Sequence, residues 1–279
     1  MTNLSYSQSV DTSSIKKVDS LLRVSRTFAG KENFDKALEV SSEAERLALN
    51  FIGKDSGPNC NAIMNSGWIQ FNMGLFNEAE GEYNEAKEIR ERVFGKQSAE
   101  YASTLGKLAI LYSQIGEFEK AESFYLEAKL IVEKVSGKAT QTYAANIGNL
   151  AVLYRMMGKF EKAEPLFIEA KEIQAIKNGL SHPSYANSLY NLGNLYMDIG
   201  LHNKAEPLYL EAKSIDEKVY GIEHSNYAQT LNSLGILYFN MLQYERSEPY
   251  FIESKKIREK VFGIDHPEFG SSLINLAIL

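Results

Sequence analysis

A skeleton of 42 residues returns without a gap over residues 101–142, 143–184, 185–226 and 227–268. Its first half reads Tyr-Ala-x-x-Leu-x-x-Leu-(Ala/Gly)-x-Leu-Tyr-x-x-x-Gly. The second half reads x-Phe-Glu-Lys-Ala-Glu-Pro-Leu-Tyr-x-Glu-Ala-Lys-x-Ile-x-Glu-Lys-Val-x-Gly. Stepping back by the same length reaches Asn59 and Lys17, where Phe34, Ala37, Ala44 and Gly53 fall on Phe76, Ala79, Ala86 and Gly95. Six full units therefore start at residues 17, 59, 101, 143, 185 and 227, and a truncated seventh opens at Phe269. A period of this length belongs to stacked helix pairs or to a propeller of sheets.

Spacing inside the unit chooses between them. In one first half the apolar positions are Tyr185, Leu189, Leu192, Leu195 and Tyr196, steps of three and four that make one helix face and stop at Gly200. The second half repeats the pattern with Ala205, Leu208, Tyr209, Ala212, Ile215 and Val219, and Gly221 supplies the stop. No run alternates with period two, so a propeller is excluded. The pairs Glu164-Pro165, Glu206-Pro207 and Glu248-Pro249 are expected in the first turn of the second helix, where a missing amide hydrogen breaks no bond.

Counted from the opening Tyr, one unit carries Ala151, Tyr154, Gly158, Ala163, Phe167 and Ala170 at positions nine, twelve, sixteen, twenty-one, twenty-five and twenty-eight. The next carries Gly193, Tyr196, Gly200, Ala205, Tyr209 and Ala212. This pattern resembles the tetratricopeptide repeat, and its length, His-Pro linker and Tyr-Ala start resemble the 42-residue subclass of the kinesin light chains. Similar arrays precede caspase-like CHAT domains in bacteria. The resemblance implies an all-α, right-handed superhelical solenoid of antiparallel pairs, with twelve helices in six pairs and a lone terminal helix over residues 17–279. Small residues let the helix axes approach, and Tyr125, Phe167, Tyr209 and Phe251 fill the spaces between them. Units at both ends depart from the pattern, with Ser41, Gln70, Leu242, Ser247 and Ser254 at skeleton positions, and are expected to be looser.

A net charge of −6 opposes a nucleic-acid partner or an anionic membrane held by a basic face. The single cysteine, Cys60, excludes an internal disulfide framework. No window approaches a membrane span of about 20 apolar residues, and the start shows no signal-peptide pattern, so a cytoplasmic location is expected. Residues 1–16 are polar and expected to be disordered. The apolar half-unit Leu273-Ile274-Asn275-Leu276-Ala277-Ile278-Leu279 lacks its second helix, so the chain reads as a piece of a longer protein. Self-association through that helix would then be an artefact of truncation.

Chemistry-bearing motifs are missing: there is no phosphate loop, His-Glu-x-x-His, nucleophile elbow or paired-Cys motif. His182, His224 and His266 recur at the repeat period, but equivalent positions in stacked helices lie roughly 8–10 Å apart, too far for ligands of one ion. They read as linker and cap residues. Carboxylates such as Glu211, Asp216, Glu217, Glu253 and Glu259 recur with Lys nearby and read as solvated helix faces. No catalytic residue, cofactor or metal is expected.

Function is therefore expected on the surface that the skeleton leaves free. The family resemblance implies that first helices line a concave groove, with contacts from positions three, six, seven, ten, thirteen and fourteen. Here these include Asn65, Trp68, Asn72, Lys107 and Gln114, then Asn149, Arg155, Asn187, Tyr190, Asn191, Asn194, Asp198, Asn232 and Phe239. Asparagine both donates and accepts, so a row of it suits the backbone of an extended protein segment, and the aromatics suit anchoring side chains. With Lys107 and Arg155 as the groove's only cations, a two-carboxylate clamp is not expected. The expected role is a protein-interaction scaffold. The alternative is a sensor arm of a larger enzyme, such as a CHAT-type protease, with catalysis beyond residue 279.

Overall fold

A computed structural model of the chain describes residues 12–279, and the regular structure among them is thirteen α-helices and no strand. First helices are α3 (Gly57–Asn72), α5 (Ala99–Gln114), α7 (Gln141–Met156), α9 (Pro183–Asp198) and α11 (Ser225–Asn240). Each is followed by a second helix: α4 (Phe76–Phe94), α6 (Phe118–Ser136), α8 (Phe160–Asn178), α10 (His202–Tyr220) or α12 (Tyr244–Phe262). The pair α1 (Thr12–Ala29) and α2 (Phe34–Phe51) precedes them, and α13 (Pro267–Ala277) closes the chain. The expected polar segment is corrected at its end, because Thr12–Lys16 already belong to α1 and Ser14 is buried. Its remainder, residues 1–11, lies outside the described residues.

Two compact units divide the chain, Met1–Ser136 and Gly137–Leu279. In the first, α1 to α6 each pack on the next; in the second, α7 to α13 do the same. Among the described residues no helix is long and apolar enough to cross a membrane.

Helix ends follow local chemistry. First helices are capped by Ser56, Ser98 and Thr140, whose hydroxyls accept the amides of Asn59, Tyr101 and Tyr143. At the same place the ring Nδ1 of His182, His224 and His266 accepts the amide of Ser184, Asn226 or Glu268 at 3.1 Å. The recurring histidines are caps. At the far end the backbone turns left-handed at position sixteen, through Gly74, Gly116, Gly158 and Gly200. Glu32 and Leu242 hold the same place at φ 57° and 60°, where a side chain is strained.

The prolines require a correction. α8, α10 and α12 begin at Phe160, His202 and Tyr244, so Pro165, Pro207 and Pro249 are the sixth helical residues. Only the first four amides lack an intrahelical acceptor, so each proline forgoes one bond inside a helix that runs on.

Packing centres on the small residues. Ala121, Ala128, Ala163, Ala170, Ala205 and Ala212 are buried, as are Tyr125, Phe167, Tyr209 and Phe251. At position nine three units need glycine itself. A Cβ on Gly67, Gly193 or Gly235 would lie 2.8, 2.7 or 2.5 Å from the ring of Tyr83, Tyr209 or Phe251. Where alanine meets serine instead, the hydroxyl finds a backbone partner: Ser247 donates to the Gly235 carbonyl at 2.7 Å and Ser254 to that of Ala228 at 2.8 Å.

Polar bolts join successive pairs. The position-twelve hydroxyls of Tyr112, Tyr196 and Tyr238 donate to Glu80, Glu164 and Glu206 of the preceding pair at 2.6, 2.9 and 2.7 Å. Glu164 and Glu206 are the residues before the prolines. A second set links position thirty-two to position four of the next pair: Arg90 to Thr104, Asp216 to Thr230 and Arg258 to Ser272, at 3.0, 3.0 and 3.1 Å. Asp216 is therefore a buried acceptor and not part of a solvated face, and burial raises its carboxyl above the usual range. Glu253 accepts the hydroxyl of Tyr227 at 3.4 Å and stays on the exposed face.

Gly235→Ala and Leu242→Gly should move stability in opposite directions. The first overpacks Phe251 and should cost about 1–3 kcal/mol. The second relieves a left-handed residue that is 72% exposed and should gain about 0.4–1 kcal/mol. Denaturant unfolding of the two variants checks both signs.

Glu82 supplies a pH test in the first unit. Burial, then the neighbouring charges of Glu45 and Glu85, push its carboxyl up from 4.5 to about 7, against a weaker opposing bond from Gln70. A raised folded pKa means that this contribution to stability is fully present below pH 4.5 and is lost as pH rises through about 7. Glu82→Gln should therefore gain in melting temperature over the parent as pH rises from 4.5 to about 7 and hold that gain above it, measured by scanning calorimetry, while an unchanging difference across that range would show that Glu82 does not titrate there.

Candidate functional site

The expected contact residues all lie on first helices, but packing treats them differently. In Met1–Ser136, Asn65 is only 4% exposed. Its amide protons go to the hydroxyls of Ser25 and Ser41 at 2.8 and 3.0 Å, and its carbonyl accepts Arg26 Nε at 3.2 Å. The residue is thus a structural link between α1, α2 and α3, which corrects its expected place in a free asparagine row. Ser41, which stands where the skeleton has an aromatic, is what makes this possible, and Ser66 shares its hydroxyl at 2.9 Å.

Trp68 is half-buried against the cluster of Ala29, Ala37 and Ile69. Asn72 donates to the Trp68 carbonyl one turn back at 2.6 Å and is spent on its own helix. Gln114 is exposed near the end of α5. Lys107 lies beside Trp68 in a recess of about 360 Å³, and burial pulls its ammonium below the usual lysine range.

In Gly137–Leu279 the same positions separate into occupied and open ones. Asn194 accepts the Tyr209 hydroxyl at 2.7 Å, so its carbonyl belongs to the packed interior. Asn232 accepts Asn275 at 2.7 Å, and the Tyr190 hydroxyl accepts Gln229 and Ser233 at 3.1 Å each. Arg155 and Asp198 form an ion pair at 2.6 Å, and the Phe239 ring leans on Tyr244 with centroids 5.5 Å apart. The Asn194–Tyr209 and Phe239–Tyr244 contacts lie within one pair, the others join first helices of neighbouring pairs, and together they brace the face.

What stays open is narrower. Asn149 is exposed, and the Asn191 amide donates to Asn187 at 3.1 Å, leaving an outer donor and acceptor on that pair. All three line one recess of about 360 Å³, together with Ala144, Ala145 and Gly148. The small residues matter: a Cβ on Gly148 would meet only Ala170, at 3.9 Å, so another backbone can come close to α7. Among the described residues no group of three or more His, Cys, Asp or Glu could hold a metal ion.

Sequence reasoning missed the polar residues at position thirty-two, Arg90, Asp216 and Arg258, which bind the next first helix from below its surface. A signal was present, because each is followed fourteen residues later by Thr104, Thr230 or Ser272.

Comparison with known proteins places this arrangement. The tetratricopeptide repeat profile matches residues 59–134, 141–217 and 184–242, and a second profile of the same description matches 228–268. No curated protein matches the sequence. Among solved structures, BtubC (BKLC) from P. vanneervenii is 25% identical with a TM-score of 0.67, covering 82% of this chain and 92% of that one. A putative kinesin light chain from Podosopora anserina, with nearly identical TPR-like repeats, is 18% identical with a TM-score of 0.59, over 73% of this chain and 97% of that one. Rap protein complexed with Competence and Sporulation Factor shares the fold at 17% identity and a TM-score of 0.62, over 95% and 87% of the two chains. With its period, its caps and its paired helices all in agreement with these matches, the chain belongs to the tetratricopeptide repeat family and is similar to its kinesin light chain-like members.

Proposed function

We propose that the chain is a scaffold that holds an extended segment of a partner protein along the first helices of Gly137–Leu279. Repeats of this family support a protein-interaction role in general. The observation that favours this face is the recess over α7 and α9, where Asn149 and the Asn187–Asn191 pair offer outward amide groups beside the small residues Ala144, Ala145 and Gly148. An extended backbone presents alternating donors and acceptors, and side-chain amides can satisfy both without regard to sequence. Aromatic anchors would add selectivity, with Tyr190 fixed in place by Gln229 and Ser233.

This reading separates binding from stability. With a partner recovered on the full chain, Asn149→Ala and Asn191→Ala should each cost about 1–3 kcal/mol of binding, because each strands a backbone group of the segment. Folding stability should change by less than about 0.5 kcal/mol, as at other surface sites. Titration calorimetry checks this. Unchanged affinity in the double variant, with affinity abolished by substituting Lys171 or Lys213 on the second helices, would move the partner to the opposite face.

A further inference from the structure

One junction of Gly137–Leu279 buries an acid without a cation. At position thirty-two the successive units carry Ala48, Arg90, Val132, Gln174, Asp216 and Arg258, so Asp216 is the single carboxylate of that row. It is 6% exposed, and among the described residues it forms no ion pair. Its hydrogen bond comes from a neutral group, the Thr230 hydroxyl at 3.0 Å, which has a second acceptor in the Asn226 carbonyl at 3.2 Å. One proton serves both. A carboxylate offers about four lone-pair sites, so most of its capacity to accept is unspent. Burying such a charge is costly, and burial raises the Asp216 carboxyl against the opposing influence of the Thr230 bond and of His224.

Beside this carboxylate the surface opens. A recess of about 50 Å³ is lined by the buried Asp216 and Thr230 and by the exposed Asn187, Asn226 and Gln229. That is room for one small headgroup, since a water needs about 10–15 Å³. The exposed amides have oxygen to give. Gln229 spends its nitrogen on the Tyr190 hydroxyl at 3.1 Å, which leaves its carbonyl unspent, and the Asn187 carbonyl takes one proton, from Asn191 at 3.1 Å. The Asn226 side chain makes no bond among the described residues. One negative charge among amide carbonyls suits a compact cation with several protons better than the wide planar fork of a guanidinium.

We propose, resting on the reading of an extended segment held along the first helices, that this recess takes a primary ammonium group of that segment, from a lysine side chain or from its amino terminus. Asp216 supplies the counter-charge, and the carbonyls of Asn187, Asn226 and Gln229 accept the remaining protons. Asn187 lines this recess and the amide recess alike, so the ammonium would sit next to the backbone held by Asn149 and Asn191.

The test needs no captured partner. N-acetyl-lysine methylamide, for the side-chain source, and glycine methylamide, for the terminal one, are titrated into the full chain at constant ionic strength, with N-acetyl-norleucine methylamide as the uncharged control. The side-chain amide signals of Asn226 and Gln229 are followed by NMR. Saturable shifts with at least one ammonium probe and none with the control are expected, and the stronger probe names the source. Apparent affinity should fall at least tenfold in Asp216→Asn, which keeps the shape and an acceptor for Thr230 but removes the charge. That variant alone should melt at or above the parent, because a buried unpaired charge is gone. No saturable response to either ammonium probe, an equal response to the control, or undiminished affinity in Asp216→Asn overturns the proposal. So does a marked fall in the melting temperature of Asp216→Asn, since the charge would then be a structural partner. Asn149 takes no part in this titration, so a negative result here leaves the amide face standing, and failure of the Asn149 test does not silence these probes.

Discussion

The stack depends, in every pair after the first, on how closely an aromatic ring of the second helix approaches the small residue at position nine of the first helix. At Gly193 and Gly235 there is no room for even a methyl group above Tyr209 and Phe251. That contact fixes the rotation of the first helix about its own axis, because only one face can meet the ring. Asn149 at position seven is then left exposed and Asn191 partly so, and the candidate face follows from the packing. Tyr209 makes the connection material: its ring fills the gap over Gly193 and its hydroxyl ends on Asn194.

Apolar contact sets the distance between pairs, and polar contacts set their register. Tyr112, Tyr196 and Tyr238 each reach a carboxylate of the preceding pair, while Arg90, Asp216 and Arg258 reach a hydroxyl of the next. Buried groups of this kind are costly unless paired, so a slipped stack would strand them. The variable residue at position thirty-two also individualises each junction: acid at Asp216, arginine with a carboxylate at Arg258, and at Arg90 an arginine with no carboxylate partner among the described residues.

The fold was legible because helix periodicity and repeat length are both carried by the chain itself. Gly200 and Gly221 marked real helix ends, and the buried alanines fell where the skeleton placed them. The candidate face was legible only as a set of positions. Whether an asparagine there is free depends on what the adjacent pair offers: Asn65 is consumed because Ser25 and Ser41 face it, whereas Asn149 meets no such neighbour. The prolines misled for a related reason. Their missing amide suggested a first turn, but the helices begin a turn earlier, with no side-chain cap at Lys159, Leu201 or Gln243 to announce the start.

The central claim is that second helices hold the stack while first helices are left to bind. Amide hydrogen exchange of the full chain, with and without a captured partner, tests it most directly. Binding should slow exchange in α7 and α9 around Asn149 and Asn191 and leave the middle of α8 and α10 unchanged. Protection confined to α8, α10 and α12, with α7 and α9 unaffected, would contradict the account.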